Sequence, residues 1–506
     1  MRARPCLGRR TTARAFVVAL LATGAAAGQR PQLRETWEAM YLGPQKVGYS
    51  RIVEDRVDAD GSTVVRVDNT SSITMTRFND TIKMEMRSTT FELPDGRLYA
   101  VNATVKQPAD DQETIGRLGS DGRFVLTLNT KGKKQEQTVE WSGDVLGPAA
   151  IERLVKEKPL AKGEVRTAKT FLPAINQVAA VTVRGLGRQE TELLDKKKKE
   201  LVAVRIEQEF GAGAAKQKLP PTDVWLDEKG EAVKSELPFV GAIKIVSYRT
   251  TKAEAMGEAA SGPSVDFGFE TLVKLSEPIK DARKAKAIEY KLELGDEDAV
   301  AAIIDRDYQR VIKREGNAVY VRLLKRTPEP GAKPGAASEE FGKPNGFIQS
   351  DDPDIVKIAN EVAGPEPDPW KKCQRLEKWV RENMARSDFT VGFSTAADAM
   401  KSRRGDCTEH GVLLAALCRA AGVPARVAMG LVYVDSLKAF GFHMWTEVNF
   451  GDQWYALDGT LGEGSVGGEH IKVSDSSLKG ASAMSTLLPV YNVIGKLKIK
   501  VEKVEQ

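Results

Sequence analysis

Arg404-Gly405-Asp406-Cys407-Thr408-Glu409-His410 runs into an apolar stretch that ends at Gly422-Val423-Pro424. The Asp or Cys opens a helix, and a Gly stop followed by proline closes it. Downstream come Phe442-His443-Met444-Trp445 and, after Gly451-Asp452, Trp454-Tyr455-Ala456-Leu457-Asp458. A cysteine in a first helical turn sits near unpaired N–H groups and the positive dipole end, which favour its anion. Gly405 lets the chain turn sharply there. The layout is that of a thiol nucleophile with a histidine base and an orienting carboxylate.

Two of the three histidines compete as base. His410 follows Cys407 by three residues and shares its helical face, but a helix offers it no obvious orienter. His443 is favoured by register. Strands Ala425–Tyr433, Met444–Phe450 and Gln453–Asp458 are predicted, the last two joined by a two-residue turn. With Phe450 opposite Gln453, Trp445 falls opposite Asp458, and His443 shares the face of Trp445. Asp458 is then a diagonal neighbour of His443, and a one-residue slip would remove it. Glu447 shares that face and is placed to pair with Arg426. His470 follows a glycine-rich loop and reads equally as a cleft residue or a surface one. Cys373, on a stripe with Trp370, Leu376, Trp379 and Val380, reads as core, as does Cys418.

Working outward, helices are expected at Asp354–Ala363, Pro369–Met384 and Ala396–Lys401. The chain from 34 to 250 is strand-like, with runs such as Ser72–Phe78, Ile82–Leu93, Tyr99–Lys106 and Val202–Phe210. Asp60-Gly61, Asp95-Gly96, Asp121-Gly122 and Lys229-Gly230 punctuate it as hairpin turns, and Val145–Lys156 is a helical interruption. This predicts an antiparallel β domain, a large curved sheet or half-barrel carrying no chemistry of its own. Residues 264–326 form a small β-rich adaptor, 327–346 a linker rich in Pro and Gly, and 347–506 the chemical domain, whose tail Leu487–Val504 reads as strands. The fold class is α+β.

The first 27 residues carry five arginines, a short apolar stretch and Ala25-Ala26-Ala27, the pattern of an export signal. Without them the formal charge of +5 falls to zero, so nucleic-acid binding gains no support. No apolar run is long enough to span a bilayer. Cys373, Cys407 and Cys418 then remain, an odd set that leaves at least one thiol unpaired. No Cys/His spacing fits a metal site, so neither metal nor cofactor is expected.

The runs Gly405–His410, Leu413–Arg426, Phe442–Val448 and Trp454–Asp458 together resemble a bacterial transglutaminase-like domain over about 347–480. The resemblance implies a papain-like core with Cys407 as nucleophile, His443 as base and acid, and Asp458 as orienter. It implies protease, amidase or transamidase chemistry through a thioester, on peptide or protein amides or on a cell-envelope polymer. Calcium, required by animal members, has no EF-hand-like loop here. Those members also use an upstream tryptophan at the oxyanion; Trp379 is the nearest here, and its helix stripe suggests core. The rival reading is a non-catalytic module that binds peptide or envelope polymer; under either reading the protein is expected in the periplasm or outside the cell.

Overall fold

The computed structural model describes residues 32–59, 62–106, 111–130, 133–211, 216–240, 243–258, 265–295, 297–386, 394–462, 464–480 and 483–506. The export signal and the Asp60-Gly61 turn lie outside the described residues.

The N-terminal half is one 16-stranded sheet. From Gln32–Leu42 the strands meander outward to Lys133–Val139. The chain then passes Val145–Leu146 and the helix Pro148–Lys156 and meanders back from Val165–Leu172. Ile243–Thr250 finally pairs antiparallel with Gln32–Leu42. Both sheet edges therefore come from adjacent sequence. Leu146 bridges to Arg97, and Trp141 stacks on Phe124 at 4.0 Å, so the sheet curls on itself. Its strands alternate in burial: Asp80–Glu92 turns every other residue toward solvent over most of its length, as a sheet covered on one face must.

The C-terminal half is built differently. A sheet in the order Val273–Lys274, Ala439–Phe450, Ala425–Val434, His470–Ser476, with Gln453–Leu457 on the other side of Ala439–Phe450 near its end, is packed by the helix Cys407–Ala420. Thr446 Oγ1 donates to the Gly411 carbonyl at 2.8 Å, and a Cβ on Gly411 would stand 3.2 Å from Met444 Cγ. Close approach of helix to sheet explains that glycine. Helices Pro353–Ala363, Pro369–Asn383 and Ala396–Ser402 enclose the helix Cys407–Ala420, which is buried from Cys407 to Arg419. That explains its weak amphipathic pattern.

Ala287–Glu293, Gln309–Glu315 and Ala318–Leu324 form a smaller sheet whose fourth strand is Lys498–Glu505 from the end of the chain. Of the tail Leu487–Val504 expected as strands, the first part lies instead in the helix Ala483–Val493. Its apolar residues Leu488, Val490 and Val493 are buried, and a short apolar run does not distinguish a buried helix from a strand. Ile288, Tyr290, Val321 and Ile499 share one continuous core with Leu413, Val427 and Trp445. Segment 327–346 runs against the same body: Gly335 N–H donates to the Asn449 carbonyl and Pro334 bridges to Phe450.

Among the described residues, no helix is long and apolar enough to cross a membrane.

Candidate active site

Asp406 caps the helix Cys407–Ala420. Its carboxylate accepts from Thr408 N–H at 2.8 Å, and Glu409 returns to accept from Asp406 N–H at 2.9 Å, a capping box. Gly405 is required because a Cβ would fall 2.3 Å from Glu409 Cβ. Cys407 is thereby fixed at the first helical position, 7% exposed. Burial pushes its thiol well up and Asp406 adds to that; Arg77 and a hydrogen bond from the Met444 backbone N–H act in the opposite sense. The sulfur thus lies against the strand that carries His443.

The hairpin register pairs Phe450 with Gln453 and runs to Thr446 opposite Leu457. Asp458 follows at once, and His443 Nε2 stands 2.7 Å from Asp458 Oδ2. The other carboxylate oxygen accepts from the N–H groups of Thr460 and Leu461 at 2.8 and 3.1 Å. Burial raises the Asp458 carboxyl, but His443 and His470 together hold it well below the usual range. His410, the competing base, is turned back on its own helix, with Nδ1 2.7 Å from the Asp406 carbonyl. Burial lowers its pKa. Glu447 accepts from Arg426 Nε at 2.7 Å. Cys373 and Cys418 are buried and free, and Trp379 stacks under the Arg403 guanidinium at 4.4 Å.

Glu377 and Arg77 near this cluster escape sequence reasoning, and the structure decides the place of His470. Glu377, on the helix Pro369–Asn383, accepts from Asp458 N–H and Gly464 N–H at 2.8 Å each and so holds the loop after the hairpin. Arg77 arrives from the N-terminal sheet, 3.7 Å from the Asp406 carboxylate. It stands at a hairpin whose tip residues Phe78 and Asn79 have positive φ, and both of their N–H groups donate to Asp266. His470, left open between cleft and surface, is buried with Nε2 3.0 Å from Asp458 Oδ2.

His443, Asp458 and His470 bring donor atoms within 4.8 Å of one another. Their 2.7 and 3.0 Å separations are hydrogen-bond lengths. A tetrahedral zinc ion with bonds of ~2.0–2.1 Å would spread its donors to roughly 3.3 Å, so this geometry is that of a hydrogen-bonded group.

Residues 356–459 match the family described as the Transglutaminase-like superfamily. A Haemophilus influenzae protein of uncharacterised function is 31% identical over 111 residues; the match spans 21% of this chain and 29% of that protein. In shape, a candidate cysteine protease from Cytophaga hutchinsonii covers 43% of this chain and 86% of its own, at 15% identity and TM-score 0.29. A β-barrel-like protein of the domain of unknown function DUF1849 from Brucella abortus covers 43% and 95%, at 14% identity and TM-score 0.31. The periplasmic domain of TgpA from Pseudomonas aeruginosa, bound to ethylmercury, covers 64% and 97%, at 14% identity and TM-score 0.22. Likenesses at these scores carry no argument about activity. The match over 356–459 encloses Cys407, His443 and Asp458, and by it the chain carries a domain of the transglutaminase-like superfamily.

Proposed function

We propose that the protein is an exported cysteine-dependent amide hydrolase or acyltransferase, with Cys407 as nucleophile, His443 as base and acid, and Asp458 as orienter. The observation that carries this reading is the buried 2.7 Å contact between His443 Nε2 and Asp458 Oδ2 on the strand whose Met444 N–H bonds the Cys407 sulfur. With Nε2 committed to Asp458, Nδ1 is the ring nitrogen that exchanges a proton with the thiol. The sulfur gives its proton to His443 and bonds to the carbonyl carbon. The C–N bond breaks, and the amine leaves with the proton from His443. Water or a second amine then attacks the thioester, returning its proton through His443 and releasing the thiol. Hydrolysis is the default, since transfer to an amine needs a site that holds the amine and excludes water.

Peptide and protein amides are the substrate class, with cell-envelope peptide as a second candidate. Iodoacetamide should label Cys407 ahead of Cys373 and Cys418, and Cys407→Ala should abolish amine release from casein or peptidoglycan fragments. Retained turnover in Cys407→Ala, or equal labelling of the three thiols in the folded protein, would end this reading. The burial of Cys407 favours one rival, a module that binds peptide without cleaving it; that rival expects binding of the same fragments with no amine released.

A further inference from the structure

His470 and Glu469 lie beyond the matched stretch 356–459, and the reaction above uses neither. His470 is 1% exposed and Glu469 3%. His470 Nε2 lies 3.0 Å from Asp458 Oδ2, the oxygen that also faces His443 Nε2. Its second nitrogen, Nδ1, lies 3.3 Å from Glu469 Oε1, an ion-pair distance without hydrogen-bond alignment. Trp445 closes the ring edge-on, with centroids 5.1 Å apart.

A neutral His470 has no good arrangement here. With its proton on Nε2, the Nδ1 lone pair would face the Glu469 carboxylate; with its proton on Nδ1, the Nε2 lone pair would face Asp458. Only the imidazolium, a donor at both nitrogens, suits two anions in a site closed to water.

We propose that His470 is a positioning residue held as a buried cation between Asp458 and Glu469, where it anchors the Asp458 carboxylate and weakens that carboxylate's hold on the His443 proton. Two carboxylates and one fixed cation leave a single net negative charge facing His443. An orienter compensated in this way keeps the ring aligned, yet lets it release its proton to a departing amine more readily. The effect on rate rests on the thiol-hydrolase reading; the charge state of His470 does not.

The balance of forces agrees. Burial opposes the cation, but Asp458 and Glu469 outweigh it and raise the His470 pKa to about 9. The other groups facing the cluster do not reverse this. Lys325 acts on Glu469 and helps keep it ionised. Tyr290 and Tyr308 are phenols that burial pushes well up, and so remain neutral. The Cys407 thiol is likewise raised, and His410 is lowered by burial.

The chain has three histidines, so histidine-selective ¹⁵N labelling of the full chain gives three ring systems to follow from pH 5 to 10. His470 is expected to show two protonated ring nitrogens through neutral pH. In His470→Gln, which keeps a neutral donor toward Asp458, the His443 Nε2–H signal should move downfield as the uncompensated carboxylate holds that proton more tightly. In Glu469→Gln, which leaves ring and core in place, the His470 midpoint should fall by about one pH unit. A neutral His470 ring at pH 7 overturns the proposal, as does a His443 Nε2–H signal unmoved in His470→Gln. Should that variant fail to fold, an unmoved His470 midpoint in Glu469→Gln overturns it alone. These readings are independent of turnover: retained amide cleavage in Cys407→Ala would remove the hydrolase reading and leave the ring protonation standing.

Discussion

The two large sheets of this protein solve opposite problems. Asp80–Glu92, in the curled sheet, alternates between half-covered and exposed positions along most of its length, whereas Ala425–Val434 is buried at every position but its last. A sheet wetted on one face places its charges in water, where pairs such as Arg205–Asp223 are worth little. A sheet covered on both faces must pair every charge it keeps. Arg426, Glu447, Lys472, Asp307 and Asp475 therefore pair with one another in a cluster with contacts of 2.7–3.3 Å. The candidate site belongs to the second sheet because exclusion of water strengthens a His–Asp contact and allows it to be held in one geometry.

The sharpest way to break this comparison is an isosteric, charge-removing change in each region. Asp458→Asn should lower amide turnover by about 10³–10⁴-fold, because the amide favours the wrong His443 tautomer. Asp223→Asn should leave kcat unchanged. Equal kcat values for both would show that the second sheet is only scaffold.

Stability should separate the regions next. Glu447→Gln strips Lys472 and Arg426 of a buried partner and should cost about 3–5 kcal/mol in urea unfolding. Arg205→Ala on the curled sheet should cost under ~1 kcal/mol. Similar losses would mean that water reaches the Lys472 cluster.

The pH windows should differ as well. His470 has a folded-state pKa raised from 6.5 to about 9. Its contribution is complete below 6.5 and is lost as pH rises through about 9. In the curled sheet, Glu92 is buried at the start of the helix Pro148–Lys156, where it accepts from Ala149 and Ala150 N–H. Burial raises its carboxyl from 4.5 to about 7, so its contribution is complete below 4.5 and is lost by about pH 7. Unfolding midpoints from pH 4 to 10 should therefore show a lower window that Glu92→Gln removes and an upper window that Glu469→Gln shifts down.

The smallest effect concerns Arg77, a side chain of the curled sheet that reaches the site. Arg77→Ala removes a cation that lowers the Cys407 pKa and should slow iodoacetamide labelling at pH 7 a few-fold, because the thiolate is the reacting form. An unchanged rate would confine the curled sheet to shape alone.

What was legible in the chain follows the range of the forces involved. Hairpin register is set within a few residues: Gly451-Asp452 makes the turn, and the period of two does the rest, so His443 and Asp458 could be placed on one face before any packing was known. The same holds for the start of the helix Cys407–Ala420, where the Asp406–Glu409 box is a local pattern. His470 was ambiguous because a glycine-rich approach says nothing about which neighbour waits at its end. The first part of the tail Leu487–Val504 reads as strand yet lies in the helix Ala483–Val493, because short apolar runs carry no decisive period once both faces are covered.

Sequence alone determined the local chemistry: a capped cysteine, a histidine and an aspartate in register, and a long alternating region that must be sheet. Tertiary structure alone decided the company these groups keep. Glu377 comes from an earlier helix, Arg77 from a hairpin more than three hundred residues upstream, and His470 from the far neighbour of the central strand. Turns, caps and periods act through hydrogen bonds between near neighbours in the chain. The convergence of distant side chains depends instead on how whole layers pack, and layer packing is recorded in no single stretch of residues.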